Sequence, residues 1–124
     1  MSYRILIIDD EEDIRAIAAL SLETVAGWEV AMAGSGAQGV VSAESLQPDG
    51  ILLDVMMPGM DGRATFAALS KNPRTAKIPV VLLTAKAQGS ERQQLAALGV
   101  AGVLVKPFDP LTLAGEIASI FGWS

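Results

Sequence analysis

The chain has 124 residues, 51% of them hydrophobic and 19% charged, with a formal net charge of -5. One domain of that size buries roughly two-thirds of the surface its unfolded chain exposes, and the mixed composition is that of an ordinary globular protein. With no cysteine and no histidine, disulfides and thiol chemistry are excluded and the usual general base is missing. A metal would have to be held by oxygen, which favours magnesium, calcium or manganese.

The acidic balance argues against direct nucleic-acid binding, which needs a cationic footprint. No apolar run approaches the ~20 residues of a spanning helix. No basic-then-apolar leader precedes Ile5. The expected location is cytoplasmic, with no membrane partner.

Arg4 to Ile8 reads as a β-type apolar run that stops at Asp9-Asp10. A helix opens near Asp13, carries Ile14, Ile17, Ala18, Ser21, Leu22 and Val25 inward, and closes at Gly27. Glu29 to Ala33 alternates as a short strand near an edge. Ser35-Gly36-Ala37-Gln38 has capping-box spacing for a helix that runs to about Leu46. Pro48-Asp49-Gly50 then turns into Ile51-Leu52-Leu53-Asp54, four buried-type positions that end on a carboxylate. Pro58, Gly59 and Gly62 stop that strand from continuing.

Beyond the loop 55–62, a helix carries Phe66 and Leu69 and ends around Asn72-Pro73. Val80 to Leu83 is a fourth strand ending at Thr84. Ser90-Glu91-Arg92-Gln93 again has capping-box spacing, for a helix that stops at Gly99. Gly102 to Val105 is a fifth strand ending at Lys106-Pro107. Asp109 is expected to cap the last helix with Pro110 at its first position, and Leu113, Ile117, Ile120 and Phe121 form its buried stripe.

Strict β-α alternation with nearly continuous apolar strands predicts one α/β domain over 1–124, a doubly wound parallel sheet covered on both faces. In such a sheet all strand ends of one polarity share an edge, and ligands bind there. Asp9, Asp10, Asp54, Thr84 and Lys106 therefore converge. Taken singly each has an ordinary reading: a helix cap, a strand-end threonine, a surface lysine. Met57 and Met60 read as core filler. Only the joint placement is specific.

That set, with Met57-Pro58, Met60-Asp61-Gly62, Thr84-Ala85 and Lys106-Pro107-Phe108, resembles the receiver domain of two-component response regulators over essentially the whole chain. The resemblance implies a flavodoxin-like (βα)5 fold of strand order 2-1-3-4-5, as in the chemotaxis receiver. It also implies that Asp54 accepts a phosphoryl group from a phosphohistidine on a partner histidine kinase. Asp9, Asp10, Asp54 and the backbone carbonyl of Met56 would hold Mg2+, with Mn2+ as a substitute. Thr84 would hydrogen-bond the phosphoryl group and Lys106 would pair with it.

The physics is coherent. Two carboxylates about 4 Å apart repel by roughly 4 kcal/mol at an effective dielectric near 20, which a divalent ion and a lysine reverse. Such a chain is a phosphoprotein signalling domain, not an enzyme. Its output passes to a downstream protein or to a second copy through the face made by helix four, strand five and helix five.

Two positions depart from the family pattern. Val103 stands where an aromatic switch residue is common, so output is expected to rest on helix four and the loop before it. Lys86 and Met56 flank the approach of water and are expected to set the aspartyl-phosphate lifetime. By the same resemblance the first helix, with Ile14, docks the kinase. The expected organisation is a stand-alone receiver with no effector domain on this chain, with a receiver excised from a longer multidomain regulator as the alternative. An aspartate-nucleophile phosphohydrolase would need a second acid two residues after Asp54, where Met56 stands. A flavin module would need a phosphate loop where Asp9 to Asp13 repel phosphate.

Overall fold

The computed structural model describes residues 2–85 and 88–123. The apolar runs form five strands: β1 (Arg4–Ile8), β2 (Glu29–Ala33), β3 (Gly50–Asp54), β4 (Val80–Thr84) and β5 (Gly102–Val105). They pair in parallel in the order β2-β1-β3-β4-β5, as expected. Helices follow each strand: α1 (Glu12–Ser21), α2 (Gly36–Leu46), α3 (Gly62–Lys71), α4 (Gly89–Ala96) and α5 (Leu113–Phe121).

Strands β3 and β4 are buried at every position, which is why they lack polar alternation. The edge strand β2 is buried only at Ala33. Successive side chains point to opposite faces. Ile5, Ile7, Leu52, Val81 and Leu83 therefore pack with Ala18, Leu22, Leu113 and Ile117 of α1 and α5 and the turn between α1 and β2. Leu6, Ile8, Ile51, Leu53 and Leu82 pack with Ala43, Leu69 and Leu95 of α2, α3 and α4.

The first helix does not run unbroken to Gly27. Leu22–Ala26 forms a π-helical turn, closed by Gly27 at φ 70. The wider winding shifts the phase of the stripe, leaving Val25 half exposed, and Ile17 is 45% exposed as well. Ser35 caps α2 as expected, its hydroxyl accepting from Gln38 N, but the Gln38 side chain reaches back to Gly34 N.

Ser90 is not a cap. The chain is already helical at Gly89, Gln88 C=O accepts from Arg92 N, and Ser90 sits inside the first turn. Asp109 organises a turn through Leu111 N and Thr112 N, and α5 proper starts at Leu113, after Pro110. Leu113 and Ile117 are fully buried there, whereas Ile120 and Phe121 are only partly covered.

Candidate functional site

Strand register assembles the site. Ile8 pairs with Leu53, so Asp9 and Asp54 leave β1 and β3 side by side. Asp54 pairs with Leu83, placing Thr84 one step further on, and Thr84 pairs with Val105, placing Lys106 one step beyond that. Chemistry-bearing residues spread along the chain thus line one edge of the sheet.

The acceptor end of β3 is wedged from behind. Gly62 N donates to Val55 C=O at 2.9 Å, and a Cβ on Gly62 would lie 2.5 Å from the Asp54 carbonyl oxygen. Only glycine lets α3 start there. Asp61 caps that helix, its carboxylate accepting from Ala64 N at 2.8 Å.

Asp54 is 2% exposed and Asp9 1%. Lys106 Nζ stands 3.1 Å from Asp54 Oδ1, 3.3 Å from Asp9 Oδ2 and 3.8 Å from Glu11 Oε1. Asp54 Oδ1 also accepts from Met56 N at 3.4 Å. Asp9 is held by its own loop: Oδ1 accepts from Glu11 N, and its carbonyl accepts from Arg15 Nη1. The contact of Asp9 Oδ2 with Lys106 is close but not aligned as a hydrogen bond. Neither that oxygen nor Asp54 Oδ2 has a hydrogen-bond partner among the described residues.

Burial pushes the Asp54 carboxyl up from 3.8 to about 6, and the Asp9 carboxylate adds to the push. The Lys106 ammonium and the Met56 N–H oppose it. The Lys106 ammonium is driven above its ordinary range: burial lowers it, but the Asp54 and Asp9 carboxylates outweigh that. Lys106 is therefore a fixed cation at neutral pH, and Asp54 an anion held at some expense.

Asp9, Asp10 and Asp54 each offer a carboxylate oxygen within 4.8 Å of the others, with Asp10 at the solvent side. Among the described residues, one ammonium facing three carboxylates leaves the cluster an anion with two buried oxygens unpartnered. Hard oxygen donors in that state fit a divalent cation of the magnesium class, so the cluster is able to hold a metal.

Of the expected residues, Asp9, Asp10, Asp54, Thr84 and Lys106 all reach this edge. Met56 follows directly, its side chain exposed. Val103 is buried instead among Leu82 and Leu95, away from the carboxylates, and its carbonyl accepts from Arg92 Nη2 at 3.4 Å. Lys86 lies outside the described residues. Sequence reasoning missed Arg15 and Glu11. An arginine one turn after an acid pair was the available signal for Arg15.

A cleft of about 270 Å³ opens beside the acceptor, lined by Val55, Met56, Asp61, Arg63, Thr84, Glu91, Gln94 and Leu95. A larger groove of about 650 Å³ runs along α5 past Val25, Arg92 and Leu111. It holds none of the carboxylate cluster, so size does not mark the site here.

A five-stranded 2-1-3-4-5 parallel sheet with a carboxylate cluster and a lysine at its carboxyl edge defines a doubly wound α/β domain with an acidic site at its strand ends. The chain matches the response regulator receiver domain family over residues 5–118 and belongs to it; it is a receiver domain of two-component signalling.

It is 43% identical to the "DNA-binding dual master transcriptional regulator RpaA" of a Synechocystis species, over 94% of this chain and 48% of that protein. It is 40% identical to "Response regulator PleD" of Caulobacter vibrioides, over 97% of this chain and 26% of that protein. The chain thus spans about half or less of these relatives.

Among solved structures, chemotaxis protein CheY4 of Vibrio cholerae superimposes with a TM-score of 0.89 at 31% identity, covering 97% of this chain and 99% of that one. The receiver domain of sensor histidine kinase PA1611 of Pseudomonas aeruginosa, which has magnesium coordinated in its active-site cleft, gives 0.86 at 26% identity, covering 98% and 99%. Among the described residues no helix is long and apolar enough to cross a membrane.

Proposed function

We propose that Asp54 is the phosphoryl acceptor and that a partner histidine kinase is the donor. The observation that carries this reading is the Asp54 carboxylate itself: nearly fully buried, 3.1 Å from a lysine, its second oxygen without a hydrogen-bond partner among the described residues. An Asp54 oxygen attacks phosphorus, the bond from phosphorus to the donor imidazole nitrogen breaks, and that nitrogen keeps the electron pair and takes a proton. The product is an aspartyl phosphate.

Asp9, Asp10, Asp54 and the Met56 carbonyl would hold Mg2+, with Mn2+ as an alternative. When bound, the ion supplies charge neutralisation for the phosphoryl oxygens. Lys106 pairs with a phosphoryl oxygen, exchanging one anion for another at the same ammonium. Thr84, one strand over, offers its hydroxyl to a second oxygen. Met56 and Lys86 set the lifetime of the phosphoryl group. Output passes through the face of α4, β5 and α5 to a downstream protein or a second copy, and the chain acts as a signalling domain and not as an enzyme.

Intact-mass measurement after acetyl phosphate and magnesium tests this. One phosphoryl unit is expected, lost in Asp54→Asn and strongly reduced in Lys106→Met. No shift in the wild type, or one that survives Asp54→Asn, overturns the assignment.

A further inference from the structure

We infer that Arg63 is a steering residue for the phosphoryl donor, gathering small dianionic donors of the acyl phosphate class into the cleft beside Thr84. This rests on Asp54 being the acceptor.

Arg63 occupies the first turn of α3, one residue after the glycine that abuts the Asp54 carbonyl. Its backbone is therefore fixed relative to the acceptor. The first turn is the positive end of the helix dipole, an unfavourable place for a cation, which the capping Asp61 carboxylate only partly offsets. Among the described residues no hydrogen bond or ion pair holds the guanidinium. Asp61, its near neighbour, is engaged in capping Ala64 N. A charge that breaks a local rule without structural return marks a functional position.

Arg63 lines the same cleft as Met56, Thr84 and the acids Asp61 and Glu91, and among the described residues it is the only cation there to offset them. Lys106 cannot gather an anion from solvent, because it is already committed to Asp54 and Asp9 and is only 15% exposed. An incoming dianion meets the acidic cluster first, and an exposed uncommitted guanidinium beside the acceptor offsets that repulsion. With an acyl phosphate the reaction balances simply. The bond from phosphorus to the acyl oxygen breaks, the bond to the Asp54 oxygen forms, and the acid leaves as its carboxylate.

The test is the initial rate of phosphorylation against acetyl phosphate concentration in wild type, Arg63→Gln, Arg63→Glu and Arg63→Lys, at low and high salt. The expected loss in kcat/KM is about threefold for glutamine and about tenfold for glutamate, with lysine within about twofold of wild type. The loss appears in KM, the limiting rate and the hydrolysis rate of the aspartyl phosphate stay unchanged, and high salt collapses the differences. Equal KM values, differences that ignore salt, or a fall in the limiting rate alone overturn the inference. A wild type that takes no phosphoryl group breaks the acceptor assignment, and the steering role with it. A phosphorylated wild type with indifferent Arg63 variants breaks the steering role alone.

Discussion

The two ends of the sheet are built on opposite principles. At the carboxyl edge, buried polar groups face each other and two carboxylate oxygens lack hydrogen-bond partners among the described residues. At the amino edge, Tyr3 stacks on Trp123 with ring centroids 4.2 Å apart, and Trp28 meets both edge-on. Phe121 packs against Trp123 at 4.9 Å. Such ring pairs add about 0.5–1.5 kcal/mol each beyond the area they bury. One end gathers stability and the other holds free energy in reserve for a ligand. Stability and function are therefore separable by mutation in this fold.

The largest expected effect is at the aromatic end. Trp28→Ala, at a residue only 8% exposed, should cost about 3–5 kcal/mol in denaturant unfolding. Any folded fraction should still be phosphorylated. Equal losses of stability and of acceptor chemistry would mean that the two ends are not independent.

Next comes the opposite sign at the acid cluster. Because the Asp54 carboxyl is raised from 3.8 to about 6, the folded state binds more protons than the unfolded state across that window. Its contribution is neutral below 3.8 and becomes an increasing penalty as pH rises through 6. Metal-free Asp54→Asn should therefore be more stable than wild type at pH 7, by about 2–3 kcal/mol. The gap should close as pH falls toward 4. Unfolding curves at several pH values, with a chelator present, measure it. A gap independent of pH would mean that burial of charge is not the cause.

At limiting magnesium, phosphorylation by acetyl phosphate should decline as pH drops below about 6, because the nucleophile is then protonated. More magnesium should move that midpoint lower. The smallest effect sharpens the contrast. Ser35→Ala removes the α2 cap at the carboxyl edge and should cost about 1 kcal/mol without altering the Asp54 titration. The weakness of that edge would then lie in the acid cluster and not in the helix starts around it.

The sequence carried four of the strands because each is a short apolar run ended by a polar residue, the edge strand Glu29–Ala33 by its alternation, and the site because those polar residues are the strand ends. Two things were hidden. The π-helical turn at Leu22–Ala26 has no residue signature, since nothing in that stretch forbids ordinary winding. The ring cluster was equally illegible, because Tyr3, Trp28 and Trp123 are single residues from three distant segments that meet only once the sheet has formed. Ser90 misled for a local reason: the spacing of a capping box was present, but the helix had already begun at Gly89.

The glycines around the acceptor loop determine the direction in which the site can yield. A Cβ at Gly36 would fall 2.8 Å from the Met60 carbonyl oxygen and closer still to the Thr65 hydroxyl, and one at Gly62 would strike the Asp54 backbone. Backbone meets backbone on the α2 and α3 side, leaving no slack. On the other side α4 buries Leu95, and its Arg92 guanidinium donates to the Val103 carbonyl. If Asp54 takes a phosphoryl group as proposed, the added bulk would have this wall behind it and α4 before it. The proposed phosphorylation would then displace α4 before α3, a polarity set by the absence of two methyl groups.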